Sequence, residues 1–194
     1  MYAYISVKIS EITPAYAIVD NHGVGYFINI TLNTFAAIGE QAEVKLYTHL
    51  QVLEDAHNLF GFYTARERDM FELLITVSGV GCNTARLILS SLTVDELSTA
   101  IASEDIRTIQ AVKGIGSKTA QRIVVDLKDK VKKTDYNEVL TASPMDSSVK
   151  NEALSALVIL GFSKNAASKV LDKLLKQAPN TPVEVLIREA LKLL

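Results

Sequence analysis

A single cysteine, Cys82, in 194 residues excludes an intrachain disulfide and any cysteine-rich zinc site. An excess of one charge is missing too: 20 Lys and Arg stand against 22 Asp and Glu, a net charge of −2, so the molecule as a whole supplies no basic field. Any nucleic-acid role must therefore rest on local clustering. Long apolar runs are absent, and stretches such as Ala153 to Leu160 fall far short of the ~20 residues a membrane helix needs. The opening MYAYISVKIS alternates instead of placing a basic region before an apolar core, so it does not read as a signal peptide. These absences lead to the expectation of a soluble, cytoplasmic protein with no membrane partner. What is present is an ordinary globular mixture, 48% hydrophobic and 22% charged, with enough apolar surface to bury a core.

From residue 2 to about 62 the hydrophobic pattern has a period of two, as where Ile5, Val7 and Ile9 alternate with Ser6, Lys8 and Ser10. Asp20-Asn21-His22-Gly23 is turn chemistry between two such runs, and further β-rich runs follow at Val44 to Leu53 and Asn58 to Phe62. About five short strands in some 60 residues predict a small closed barrel, for which the OB-fold is the leading candidate. At Thr64 the period changes to about 3.6 and stays helical to the end. Thr64-Ala-Arg-Glu67 and Thr93-Val-Asp-Glu96 read as capping boxes, and Thr181-Pro-Val-Glu184 as a cap with proline at the first helical position. Residues 134–148, rich in Ser, Thr and Asp, read as a linker, and three amphipathic segments after it predict a small three-helix bundle. The expected order is thus a barrel over 1–63, a helical domain over 64–133, the linker, and the bundle over 149–194.

The helical middle repeats itself. Gly79-Val80-Gly81-Cys82-Asn83-Thr84-Ala85 recurs 35 residues later as Gly114-Ile115-Gly116-Ser117-Lys118-Thr119-Ala120. Each copy lies between two helical segments, which is a helix-hairpin-helix signature. The two glycines permit positive φ and close backbone approach, while Val80 or Ile115 anchors the turn. The free N–H groups opening the second helix then form an anion site, and two such sites would hold two phosphates. One Gly-apolar-Gly turn is no more than a tight connection, but a matching pair points to DNA binding. Charge agrees: residues 113–133 carry seven Lys and Arg against two Asp, a local excess of five. Lys118 and Arg122 share a helix face where they could flank a phosphate. Lys130, Lys132 and Lys133 suit DNA contact and a helix C-terminus equally. Gly116-Ser-Lys-Thr lacks the earlier glycine of a P-loop, position 111 being Ala, and Gly79-Val-Gly81 lacks the third glycine of a dinucleotide fingerprint. No nucleotide hydrolysis, cofactor or metal is expected.

Glu54 and Asp55 lie between two predicted strands. They could be metal-binding carboxylates with His57 or His49, a solvated hairpin tip, or charges placed to repel phosphates. No third acidic residue stands near enough in sequence for a two-metal nuclease.

Together, Gly23-Val-Gly-Tyr26, Thr48-His-Leu-Gln-Val-Leu-Glu-Asp55, Leu59-Phe-Gly-Phe62, both hairpins, Lys128-Asp129 and Ile187-Arg-Glu-Ala-Leu191 resemble the RuvA family, the Holliday-junction-binding subunits of bacterial branch-migration machines. The resemblance covers nearly the whole chain. It implies an OB-fold, a tandem helix-hairpin-helix domain and a mobile, UBA-like three-helix domain, arranged as a homotetramer or as two facing tetramers. It implies sequence-independent binding of four-way DNA junctions through Gly79, Val80, Gly81, Asn83, Thr84, Gly114, Ile115, Gly116, Ser117, Lys118, Thr119 and Arg122. Glu54 and Asp55 match the family's acidic pin. The third domain would recruit the RuvB ATPase, with Val170, Leu171 and Leu174 as candidate contacts, and the complex would work beside the RuvC resolvase. Asn83 stands where the family often has lysine, and Leu53 where a basic residue is common. The competing functions are a helix-hairpin-helix nuclease or glycosylase, and a single-strand-binding OB protein stacking bases on Tyr26, Phe27 and Tyr47, residues whose alternation instead suggests core. Lys128 and Asp129 are adjacent on a helix and diverge by about 100°, which disfavours the enzyme.

Overall fold

In the computed structural model, residues 2–139, 146–178 and 181–194 are described, and they fall in two compact units, Met1–Thr134 and Asp135–Leu194. The first unit opens with β1 (Tyr4–Ile12), β2 (Tyr16–Asn21) and β3 (Val24–Ile30), followed by a short helix α1 (Leu32–Ile38) and then β4 (Glu43–Val52) and β5 (His57–Phe62). The strands close in the order β1-β2-β3-β5-β4, with β1 returning to pair with β4. Only the β3–β5 pairing is parallel; the other ladders are antiparallel. The β2–β3 turn has both central residues at positive φ, His22 at 54° and Gly23 at 87°, the geometry that matches strand twist in a two-residue hairpin.

Alternation along the strands sends Val7, Ala17, Val19, Ile28, Val44 and Leu46 into the barrel. Tyr26 and Phe27 are neighbours on β3 and so must face opposite ways. Tyr26 packs against the core, whereas Phe27 is 54% exposed and stacks on Tyr16 at 4.7 Å between ring centroids. This corrects the assignment of Phe27 to the core. The helix α1 is also a departure, since it interrupts the period-two stretch; Thr31 caps it by accepting from the Thr34 N–H.

After the barrel come α2 (Ala65–Ile75), α3 (Cys82–Ser91), α4 (Val94–Ala102), α5 (Ile106–Gln110) and α6 (Ser117–Val139), and α7 (Asp146–Ile159) opens the bundle. Strand β5 is buried on both faces: Leu59 turns into the barrel, while Phe60 and Phe62 pack on Phe71 of α2, with ring centroids 5.2 and 4.9 Å apart. The barrel and the helices therefore share an apolar joint.

Thr93 and Glu96 form a full capping box, the Thr93 N–H reaching the Glu96 carboxylate at 2.8 Å. Thr64 caps α2 through the Glu67 N–H, but the return bond is missing because the Glu67 carboxylate accepts instead from the Thr31 and Thr34 hydroxyls. Burial raises the Glu67 pKa, and those hydroxyls partly oppose the rise. Of the expected linker, residues 134–139 continue α6 and 146–148 open α7, while 140–145 lie outside the described residues. Residues 134–139 contain no proline to deny the helix its hydrogen bonds, and extending a formed helix is easier than starting one.

The second unit packs α7, α8 (Lys164–Gln177) and α9 (Val183–Leu191) around Ala153, Leu157, Ala167, Leu171, Leu186 and Ala190. Here Pro182 itself occupies the cap of α9, and the Thr181 hydroxyl donates to the Ala178 carbonyl rather than capping. Among the described residues no helix is long and apolar enough to cross a membrane.

Candidate nucleic-acid interface

The two Gly-apolar-Gly turns are built alike. The Val80 N–H donates to the Val77 carbonyl at 3.0 Å, and 35 residues on the Ile115 N–H donates to Val112 at 3.1 Å. The Ala85 N–H donates to Gly81 at 2.9 Å and the Ala120 N–H to Gly116 at 3.0 Å. Gly79 and Gly114 take φ of 90° and 88°. Only these first glycines adopt positive φ; Gly81 sits at −88°, and Gly116 is likewise outside the left-handed region. A Cβ added at Gly81 or Gly116 would meet nothing within 4 Å. The second glycine of each turn is thus required neither by backbone conformation nor by internal packing, and it leaves clear space over the start of the following helix. At α3 that start has no side-chain cap, unlike α1, α2, α4 and α8.

Val80 and Ile115 are buried in the common helical core, 5% and 7% exposed, so they anchor the turns and can offer a ligand only backbone. Asn83, Ser117, Lys118 and Arg122 are exposed, and Thr84 and Thr119 are half-buried. The internal symmetry continues past the motif, pairing buried Ile88 with Ile123 and Leu89 with Val124. Charge breaks it. Positions equivalent to Lys118 and Arg122 in the first copy are Asn83 and Leu87, neither of them cationic. Arg122 leans across to the Ser78 hydroxyl at 3.5 Å, and Lys130 to the Thr76 hydroxyl at 3.4 Å. Cations of the second hairpin therefore reach the approach to the first. Thr76 and Ser78 escaped the sequence reading because they precede the repeated motif.

Lys128 pairs with Glu104, which holds its proton more tightly. Burial pushes the Cys82 thiol up, away from the reactive thiolate.

Glu54 and Asp55 occupy the tip of the β4–β5 hairpin, closed by the Leu53 N–H donating to the Ala56 carbonyl at 2.8 Å. Both are exposed, and they share the tip with Val52 and Leu53, 62% and 45% exposed. His49 does not join them: its Nδ1 lies 3.1 Å from the Glu72 carboxylate and its ring packs on Phe71. Among the described residues no group of three or more His, Cys, Asp or Glu is arranged to hold a metal ion.

In the bundle, Leu171 is fully buried in the seam of the three helices, so it cannot meet a partner while the bundle is folded. Val170 and Leu174 are half-buried against the same core. Apolar side chains that do face solvent include Val158, Ile159 and Leu160 at the end of α7, with Ile159 85% exposed, and Leu191, Leu193 and Leu194 at and beyond the end of α9.

Family models match along the chain: a RuvA N terminal domain over residues 1–61, a SAM-like helix-hairpin-helix tandem over 71–129, and a RuvA C-terminal domain over 148–194. The chain is 50% identical over 192 residues, 99% of each protein, to the Holliday junction branch migration complex subunit RuvA of Christiangramia forsetii. It is 45% identical over 200 residues, the whole of both, to the protein of the same name from Cytophaga hutchinsonii, and 44% identical over 199 residues to that of Bacteroides fragilis. A closed five-stranded barrel, a duplicated hairpin and a terminal three-helix bundle, matched end to end by such relatives, place the chain in the RuvA family.

Proposed function

We propose that this chain is the DNA-binding subunit of a Holliday-junction branch-migration complex. The observation that carries the reading is the pair of like-built hairpins whose second glycines keep the helix starts clear without any internal need to do so. Free N–H groups at such starts donate to phosphate oxygens, and Lys118 and Arg122 add long-range attraction. Backbone contacts of this kind position a protein on DNA without reading its sequence.

The acidic tip supplies selectivity for branched DNA. One carboxylate about 6 Å from a phosphate in water repels it by only about 0.7 kcal/mol. In a homotetramer, single or paired face to face, four tips bring eight carboxylates to the crossover and hold its strands apart. The chain itself is non-catalytic. ATP hydrolysis belongs to a RuvB motor recruited by the bundle, for which Val158, Ile159 and Leu160 offer exposed apolar surface, and RuvC acts on the same junction in the cytoplasm. The test is titration of the pure protein against a four-way junction and a linear duplex of matched sequence at several salt concentrations. Strong junction preference with a steep salt slope is expected; equal affinity for both would refute the reading, and cleavage or base release would favour a repair enzyme.

A further inference from the structure

The two hairpins are held in place by different means. The second is secured to the first by the shared helical core and by Arg122 and Lys130 reaching Ser78 and Thr76. The first is secured to the barrel. Its entry helix α2 packs on β5 through Phe71. Its exit helix α3 is tied by three polar links. Arg86, the one cation in α3, donates to the Ala15 carbonyl at 3.0 Å and to the Asn29 side-chain oxygen at 3.1 Å. Asn33, on α1, donates to the carbonyls of Leu89 at 2.6 Å and Leu92 at 3.1 Å, at the end of α3. The Leu32 N–H donates to the Ser90 hydroxyl at 3.1 Å.

The sole cation of the first hairpin's exit helix thus faces the barrel, although a DNA-binding helix would gain from turning it to phosphate. Long-range contacts of a guanidinium and an amide with main-chain carbonyls fix both distance and direction. The strands so connected belong to the sheet that carries Glu54 and Asp55 on its β4–β5 tip.

We infer that Arg86 and Asn33 are positioning residues through which the barrel sets where the first hairpin meets a DNA arm relative to the acidic tip, and that they thereby govern the preference for branched over linear DNA. The inference rests on the junction-binding reading above. A linear duplex requires only the hairpins, whose mutual arrangement does not pass through this clasp. A junction requires each arm to be gripped at a fixed offset from the crossover, and tolerances in such constellations are about 0.5 Å. Releasing α3 from the barrel should therefore leave duplex binding intact and weaken junction binding.

The test uses the full chain with Arg86→Ala, Asn33→Ala and both together, titrated against an immobile four-way junction and a duplex of one arm's sequence. For the double variant the junction-to-duplex affinity ratio is expected to fall by about tenfold, equivalent to about 1.4 kcal/mol. Duplex affinity should stay within about twofold, with an unchanged salt slope, because no phosphate contact is removed. Arg86→Lys keeps a donor and should recover part of the ratio. It also carries the test if the alanine variants fail to fold, since a ratio between parent and duplex-like behaviour is then expected. Folded variants that retain the parent's ratio, or lose both DNAs in equal proportion, overturn the inference while leaving the junction-binding reading intact. A parent protein with no junction preference overturns both.

Discussion

The two glycines of one turn answer to different demands, so the same substitution should have different consequences at sites two residues apart. Alanine at Gly79 must adopt φ near 90°, a region that costs an L-residue about 1–2 kcal/mol. In a chain of this length, about 2–4 °C of melting temperature is lost per kcal/mol, so Gly79→Ala should melt about 2–8 °C lower. Alanine at Gly81 meets no atom within 4 Å and sits at φ −88°, which any residue adopts. The entropy removed from the unfolded chain, about 0.4–1 kcal/mol, roughly offsets alanine's poorer performance as a helix cap. Its melting temperature should hardly move. Its methyl group, however, stands where a phosphate would approach the first N–H groups of α3. Losing one charge-assisted hydrogen bond of about 1.5–3 kcal/mol weakens binding by roughly tenfold to a hundredfold. Circular dichroism melting and duplex titration at fixed salt, on the same preparations, separate the two effects. Gly116→Ala and Gly114→Ala should repeat the pattern. The reasoning is refuted if Gly81→Ala binds DNA like the parent, or melts lower than Gly79→Ala.

Removing the buried acceptor with Glu67→Ala strands the Thr31 and Thr34 hydroxyls and should cost about 2–4 kcal/mol in thermal or denaturant unfolding. Because the folded Glu67 pKa is raised, the folded state holds the extra proton between the ordinary glutamate value and that raised value. This contribution to stability is full below the ordinary value and is lost as pH rises through the raised one; Glu67→Gln should remove that slope from a melting-versus-pH series. Neutralising the tip with Glu54→Gln and Asp55→Asn should tighten junction binding at low salt by about threefold for each 0.7 kcal/mol of repulsion removed, an effect that should fade in high salt. Thermal stability should stay within about 0.5 kcal/mol, as expected for exposed side chains. Leu171→Ala should destabilise the bundle by about 2–5 kcal/mol, whereas Ile159→Ser should change its melting by no more than about 0.5 kcal/mol.

The duplicated hairpin was legible because its chemistry is local: the glycines, the anchor and the small alanine recur at one offset, and the structure repeats their hydrogen bonds. The capping box at Thr93 and Glu96 was legible for the same reason. At Thr64 and Glu67 the identical pattern misled, since two hydroxyls some 33 and 36 residues earlier captured the carboxylate. Those hydroxyls belong to the start of α1, which itself spans only seven residues between strands and is too short to establish a helical period. The barrel-to-hairpin clasp was illegible for a related reason: three of the four bonds donated by the Arg86 and Asn33 side chains, from Asn33 to Leu89 and Leu92 and from Arg86 to Ala15, meet main-chain carbonyls, and a carbonyl has no residue type to read. In the bundle, an apolar stripe such as the one containing Leu171 is more often core than contact surface, and packing places Leu171 in the seam.

The return of β1 to β4 has a consequence for how copies of the chain can associate. Every strand of the barrel has a partner on each side, so no open ladder of amides and carbonyls is presented along its length. Another chain cannot extend the sheet, whether in productive assembly or in runaway polymerisation during synthesis at high concentration. Contacts between barrels must instead be made by side chains, whose identities can drift and be selected one at a time, while the hydrogen-bonded frame beneath them stays closed.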